Sequence, residues 1–308
     1  MPKNGRSRIA ALLIGVALAT SMTACASEKP SPDDDRPLVL TTFTVLADMT
    51  RNVAGEHVRV ESITKPGAEI HGYEPTPGDI RRASGAQLIL DNGLGLEAWF
   101  AQFTQQIDAA HATLSTGIEP IDIASDAHAG APNPHAWMSP LAAQTYVDNI
   151  VAALSALAPE HADAFAANGE AYSAELRSLH DELVSALDGL PAHQRALVTC
   201  EGAFSYLARD AGLEELYLWP VNAEAQATPQ RVVRVIDEVE ERGVRAVFCE
   251  STVSDRAMRQ VVGATEAEFG GILYVDSLSE PGGPVPTYLD LIRHDVSLIA
   301  SALARTGP

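Results

Sequence analysis

The chain has 308 residues, 46% of them hydrophobic, and a formal net charge of −20. An acidic excess of this size argues against a nucleic-acid partner and against electrostatic adhesion to anionic lipid, since both carry negative charge. The length exceeds what a single hydrophobic core usually supports, so we expect two domains.

The N-terminal segment has the features of an export signal. Basic residues precede an apolar run over residues 9–19, which is too short to span a bilayer as a mature helix. Small residues then precede Cys25, as in a lipobox. We therefore expect residues 1–24 to be a lipoprotein signal peptide and Cys25 to be lipidated, with plain secretion after nearby cleavage as the alternative.

The segment that begins at Cys25 is predicted to be a flexible tether. Residues 25–37 include three consecutive aspartates and several prolines, a composition that cannot form a packed core. No later segment is long and apolar enough to cross a bilayer. The sequence therefore predicts an extracytoplasmic protein, held to the outer face of the cell membrane through its lipid anchor only.

Residues 38–158 show strands that alternate with helices. Short apolar runs, such as 38–40 and 87–90, predict strands. Thr76 is placed to cap a helix that begins at Pro77. Strands separated by helices pair in parallel, so we predict an N-terminal α/β lobe with a doubly wound sheet.

Residues 159–190 are predicted to form one long connecting helix. Pro159 suits the first helical position, and Gly189 and Pro191 end the pattern. Apolar residues recur at helical spacing, namely Phe165, Tyr172, Leu176, Leu179, Leu183 and Leu187. Such a helix is about 45 Å long, enough to join two lobes rigidly. A surface helix on one larger domain is the alternative.

Residues 191–308 resume the strand–helix alternation and are predicted to form a C-terminal α/β lobe. Its strands are predicted from apolar runs at 196–199, 216–219, 246–248 and 272–275, and a helix is predicted from Pro229 to Arg242. Cys200 and Cys249 follow two of these strands. We expect both to be buried free thiols rather than a disulfide, because neighbouring parallel strands rarely offer good disulfide geometry.

Four residues have the chemistry of a metal site. His71 and His135 each lie in a turn bracketed by prolines, where a side chain is oriented without contributing to a helix or a ladder. Glu201 and Asp276 follow apolar runs. Ligands of open α/β sheets bind beyond the carboxyl ends of the strands, so we expect a site between the lobes. Imidazole and carboxylate suit Mn(II), Fe(II) or Zn(II), but not Cu(I).

Several motifs, in order along the chain, resemble those of one known family. They are His71-Gly-Tyr-Glu-Pro-Thr-Pro, Asn92-Gly-Leu-Gly-Leu-Glu97, Pro134-His-Ala-Trp137, Val198-Thr-Cys-Glu-Gly-Ala-Phe204, Ala227-Thr228-Pro229 and Val275-Asp-Ser277. Through them nearly all of the mature chain resembles the metal-binding lipoproteins of bacterial ABC importers, the zinc/manganese solute-binding proteins, which include surface adhesins.

The resemblance implies two α/β lobes joined by one rigid helix, with one metal ion per chain in the cleft and an ABC permease as partner. His71, His135, Glu201 and Asp276 match the four ligand positions of the family. Zinc-specific members have a histidine at the position of Glu201, so the resemblance favours Mn(II) or Fe(II), with a zinc-specific protein as the alternative. Cys200 stands where the family commonly has serine, which leaves a thiolate contribution open.

The ligand number argues for a carrier. Four protein ligands close the coordination shell, whereas a catalytic metal keeps an open position. The sequence has no nucleophile elbow, no H-E-x-x-H and no phosphate-binding glycine loop. We therefore predict a monomeric carrier rather than an enzyme, with a metal-dependent hydrolase and a pure adhesin as rivals. Trp137 and Trp219 are predicted walls of the cleft, and His128 is a candidate for capturing metal from a surface loop.

Overall fold

The computed structural model describes residues 34–100, 107–124, 128–221 and 227–304. The predicted signal peptide, the predicted lipidation site Cys25 and the first part of the predicted tether lie outside the described residues. Within the described ranges, no helix combines the length and the apolar character that crossing a membrane requires.

The first lobe is built on a four-stranded parallel sheet. Its strands are β1 (Leu38–Thr41), β2 (Arg59–Ser62), β3 (Leu88–Asp91) and β4 (Ala110–Thr113), in the order β2-β1-β3-β4. All four residues of the central strand β1 are buried, as parallel sheets covered by helices require. The predicted parallel pairing is confirmed. The sequence did not predict β4, because this partly exposed edge strand has no apolar run.

Eight helices are described in full. They are α1 (Thr44–Ala54), α2 (Pro77–Ala83), α3 (Pro140–Leu157), α4 (Ala162–Leu187), α5 (Ser205–Ala211), α6 (Pro229–Arg242), α7 (Arg256–Ala264) and α8 (Tyr288–Leu303). α2 begins as predicted, because the Thr76 hydroxyl accepts a hydrogen bond from the Asp79 N–H and the Asp79 carboxylate accepts one from the Thr76 N–H. This cap fixes the end of the loop that carries His71.

The second lobe contains two parallel strand pairs. β5 (Ala196–Glu201) pairs with β6 (Glu214–Trp219), and β7 (Ala246–Glu250) pairs with β8 (Glu268–Leu273).

β8 begins four residues earlier than the predicted strand, because two glycines interrupt the apolar pattern. A Cβ atom on Gly270 would overlap with the ring of Phe248 on the neighbouring β7, so the close approach of these strands requires glycine here. The predicted apolar run at 272–275 therefore overlaps only the last two residues of the strand and continues past its end.

Cys200 and Cys249 form a disulfide between β5 and β7. The expectation of free thiols was wrong. β5 and β7 lie beside each other but belong to separate hydrogen-bonded pairs, and their cysteines sit at the same level with Cα atoms 4.8 Å apart. This separation is within the usual disulfide range, so the covalent bond connects two strands that no ladder joins among the described residues.

One long helix is confirmed, but it is three residues shorter at each end than the predicted 159–190. Pro159 opens a short 3-10 turn, Pro159–His161, and α4 follows from Ala162. All six apolar residues of the predicted stripe are buried. α4 packs against α3 and α1 of the first lobe and also against the C-terminal helix α8. The helix is therefore anchored along its length in the hydrophobic core, which runs continuously through both lobes.

Buried hydrogen bonds also join the lobes. The Trp137 indole N–H donates to the Val275 carbonyl at 3.1 Å, one residue before Asp276. The Tyr288 hydroxyl donates to the Trp137 carbonyl, and the Tyr288 N–H donates to the Asp48 carboxylate at 2.8 Å. Because all these groups are buried, breaking one contact leaves polar atoms without water, and the lobes are held in one relative position.

We expect Gly169→Ala to destabilise the protein. A Cβ atom on the buried Gly169 of α4 would lie 2.6 Å from Val151 Cγ2 on α3. Overpacking of this kind costs about 1–3 kcal/mol, more than the ~1 kcal/mol that alanine gains over glycine in a helix. The measurement is the free energy of unfolding in denaturant.

Gly263→Ala is the matched control. A Cβ atom on Gly263, which lies in α7, meets no atom within 4 Å, so the same substitution should raise the free energy of unfolding, by up to ~1 kcal/mol. A change of the same sign in the free energy of unfolding of both variants would contradict the packing argument.

Candidate metal site

The four residues predicted as ligands lie at the carboxyl ends of strands or in adjoining loops. His71 is in the loop between β2 and α2, and His135 directly precedes a 3-10 turn, Ala136–Met138. Glu201 is the last residue of β5 rather than the first residue after it. Asp276 follows the end of β8 by three residues. The first lobe thus supplies two imidazoles and the second lobe two carboxylates.

Their side-chain atoms converge on one point. His71 Nε2 and His135 Nε2 are 3.0 Å apart, and Glu201 Oε1 lies 3.5 Å from each. Asp276 Oδ1 lies 3.7 Å from His71 Nε2 and 3.9 Å from His135 Nε2. A tetrahedral metal with bonds of about 2.1 Å separates its ligand atoms by about 3.4 Å. The four residues therefore could hold a metal ion; their role as ligands stays a prediction.

Burial controls the charges in this cluster. The side chains of His135, Glu201 and Asp276 are fully buried, and that of His71 is 9% exposed. Burial and the neighbouring His71 lower the pKa of His135 to about 3, so this imidazole is neutral.

His71 and Asp276 shift each other in opposite directions. Burial lowers the pKa of His71, but the Asp276 carboxylate, with smaller contributions from Glu69 and Glu97, outweighs burial and raises the pKa above its ordinary value. Burial raises the pKa of Asp276, but the two histidines outweigh burial and lower it. His71 Nε2 lies 3.0 Å from His135 Nε2, at the position where a cation would be stabilised by the carboxylates.

Asn133 orients His135 and was not predicted as a site residue. Its Oδ1 accepts hydrogen bonds from His135 Nδ1 at 2.8 Å and from the His135 N–H at 3.0 Å. Its Nδ2 donates to the Gly202 carbonyl at 2.6 Å, which fixes the orientation of the amide. His135 Nε2 consequently carries a lone pair directed at the cluster. An asparagine two residues before a histidine, typical of an Asx turn, is the sequence signal that could have indicated it.

Glu250 supports Glu201 and was also missed. Its Oε2 accepts a hydrogen bond from the Glu201 N–H at 3.1 Å, across the β5–β7 boundary. Burial raises the pKa of Glu250 to about 8. Both strands end in Cys-Glu, at Cys200-Glu201 and at Cys249-Glu250, and this repetition could have indicated that the two glutamates lie side by side.

The structure excludes a thiolate contribution from Cys200. The alternative left open by the sequence was wrong, because the sulfur of Cys200 is bonded to that of Cys249. A disulfide sulfur has no thiolate to offer a metal.

Trp137 and Trp219 lie behind the cluster rather than at its opening. The Trp137 ring packs 5.1 Å from the His135 ring and is fully buried, and Trp219 is paired with Glu201 in the β5–β6 ladder. Neither is among the residues that line the cavity at the site, and the hydrogen bond of Trp137 to the second lobe holds its indole in a buried position. Their role as cleft walls stays a prediction.

A cavity of about 810 Å³ opens onto the cluster from the side of His71. Its lining includes Glu69, His71, His128 and Thr252, together with apolar residues of the loops around them. Of the four predicted ligands, only His71 reaches this cavity among the described residues. Solvent therefore approaches the cluster past His71. His128 lines the same cavity, and its role in capturing metal stays a prediction.

Comparisons with known proteins place the chain among metal carriers. A family model, zinc-uptake complex component A, periplasmic (ZnuA), matches residues 39–302. The chain is 48% identical over 301 residues to the iron-binding protein YfeA of Yersinia pestis, covering 97% of each chain. It is 31% identical over 301 residues to the manganese ABC transporter substrate-binding lipoprotein PsaA of Streptococcus pneumoniae, covering 95% of this chain and 97% of the relative.

A solved structure has the same fold. The Mn-bound periplasmic metal binding protein from Candidatus Liberibacter asiaticus is 37% identical and superposes with a TM-score of 0.82, covering 87% of this chain and all of the other. These matches confirm the two-lobed α/β fold and the resemblance noted in the sequence. The chain belongs to the ZnuA family, the metal-binding solute-binding proteins of ABC importers, which are carriers and not enzymes.

Proposed function

We propose that this protein binds one divalent transition metal ion per chain through His71, His135, Glu201 and Asp276 and delivers it to an ABC permease. The observation that supports this assignment is the convergence of four ligand atoms, 3.0–3.9 Å apart in the measured pairs, in a buried space. Two carboxylates and two neutral imidazoles would neutralise a divalent cation.

For the cargo we propose Mn(II) or Fe(II). YfeA is named an iron-binding protein, PsaA is named a manganese lipoprotein, and the solved neighbour is Mn-bound. Half of the proposed ligand set consists of carboxylates, which suit the harder ions at the start of the divalent series. Zinc is the alternative, because it binds more tightly than manganese at most sites and the family model is named for zinc uptake.

For the location we propose an extracytoplasmic monomer, anchored by a lipid on Cys25. The relative PsaA is named a lipoprotein, and this chain carries a lipobox-like sequence before Cys25. A tether of this composition would let the folded part reach a permease in the same membrane.

His135→Ala and Asp276→Ala should each abolish tight metal binding. Each variant removes one of the four proposed ligands, so we expect affinity to fall more than the about 10–100-fold that is typical of losing a supporting residue. Titration with Mn(II) against a competing chelator measures the effect. His193→Ala, at an exposed histidine remote from the site, should leave the affinity unchanged. Unchanged affinity in Asp276→Ala would remove this residue from the proposed site.

Asn133→Ala should weaken metal binding by about 10–100-fold, because the acceptor that orients His135 is lost. Ser205→Ala is the matched control, since it removes the 3.1 Å hydrogen bond from Asn133 Nδ2 to the serine hydroxyl, together with the bond that this hydroxyl donates to Glu215, and leaves the bond to His135. We expect less than threefold weakening in this control. An equal loss of metal affinity in both variants would show that Asn133 supports the site by holding the loop in place rather than by orienting His135.

Metal content of the native protein tests the cargo. We expect about one manganese or iron atom per chain in protein purified from its own cell envelope without added metal. Elemental analysis makes the measurement, and unfolding in acid followed by repeated analysis checks that the metal is released. Zinc as the main element would contradict the proposed cargo and favour the zinc alternative.

A further inference from the structure

Glu69 places a third carboxylate at the open side of the metal site. It is exposed, lies two residues before His71 on the same loop, and accepts a hydrogen bond from the His71 N–H at 2.6 Å. Glu69, His71 and Asp276 each offer one ligand atom, and these three atoms lie within 4.8 Å of one another. This trio shares two residues with the inner set of four.

Asp276, which belongs to both sets, has an oxygen atom that could bind a cation. Asp276 Oδ1 is buried and accepts no hydrogen bond within the described part of the chain. Its other oxygen is 3.5 Å from the Thr252 hydroxyl, on a residue that also lines the cavity. A cation lying on the cavity side of His71 could therefore gain an anionic oxygen from Asp276 before it reaches the inner position.

Access favours Glu69 and His71 as the first ligands to be met. The cavity is lined by both of them, whereas His135, Glu201 and Asp276 are fully buried. A divalent ion that left water for the inner position in one step would lose its hydration before its ligands were in place, and bare buried charge is very costly. Stepwise replacement of water by ligands avoids this cost.

Charge is also conserved between the two positions. In the outer set, Glu69 and Asp276 would neutralise a divalent ion, with His71 as neutral ligand. In the inner set, Glu201 takes the place of Glu69, and His135 is added. Movement between the sets thus exchanges one carboxylate for another while two ligands stay bound, so the ion itself keeps two carboxylates in both positions.

We propose that Glu69, His71 and Asp276 form an outer metal position through which the divalent ion enters and leaves the inner site. The inference rests on the proposed function, because it takes the inner set as the resting position of the ion. Its distinctive consequence is kinetic. A residue that acts only in passage changes association and dissociation rates together and leaves the equilibrium affinity nearly unchanged.

Glu69→Gln tests the outer position. Glutamine keeps an oxygen that accepts the His71 N–H, so the loop is preserved, but it removes the anionic ligand. With Mn(II) as probe, stopped-flow fluorescence gives the association rate and transfer to excess EDTA gives the dissociation rate. We expect both rates to fall by about tenfold, at the lower end of charge effects on association, with the dissociation constant changed by less than about threefold.

Glu74→Gln is the charge-matched control. Glu74 is exposed on the same loop, so its substitution removes the same charge without touching the trio, and both rates should stay within about twofold of the wild type. Equal slowing in both variants would show general electrostatic attraction and overturn the proposal. Unchanged rates in Glu69→Gln, or a weaker affinity at an unchanged association rate, would overturn it as well.

The two proposals fail separately. If Asp276→Ala or His135→Ala abolished binding while Glu69→Gln kept wild-type rates, the inner site would stand and the outer position would be refuted. If the wild-type chain held no Mn(II), the proposed function itself would fail before the rates of any variant were compared.

Discussion

The arrangement of the molecule depends on the burial of two carboxylates, Glu201 and Asp276, within 4 Å of two imidazoles. Burial removes the water that would otherwise solvate a carboxylate anion. A buried anion is therefore costly unless a positive charge lies beside it. The Asp276 carboxylate raises the pKa of His71, which favours a proton on this imidazole, and a divalent cation would compensate both carboxylates. The fold is therefore an enclosure for positive charge, built where four chain segments meet.

The lobes are held together firmly enough to keep this enclosure in shape. α4 packs on helices from both ends of the chain, and buried hydrogen bonds of Trp137 and Tyr288 cross between the lobes. The supporting residues Asn133 and Glu250 also bridge separate segments. We infer that capture involves small movements around His71 rather than wide hinge closure, because every larger motion would expose paired polar groups.

Local signals in the sequence predicted the fold and the four converging residues well. The boundaries of α6 are as predicted, since Thr228, Pro229 and Gly243 provide a cap, a first-turn proline and a left-handed stop. Features that depend on distant neighbours were missed. The disulfide follows from the alignment of two strands that belong to separate hydrogen-bonded pairs, and the role of Asn133 follows from a carbonyl of the other lobe. The spacing of apolar residues along the sequence contains no information on contacts between residues that are far apart in the chain.

The division of the converging side chains between the lobes has a directional consequence. The second lobe contributes two anions and the first lobe two neutral rings, so Coulomb attraction would keep a departing ion with the second lobe when the lobes separate. With the proposed ligands, a transporter that pulled the lobes apart would have to outcompete Glu201 and Asp276 rather than the histidines. Glu69 would be the one carboxylate that the first lobe contributes, in the proposed outer position.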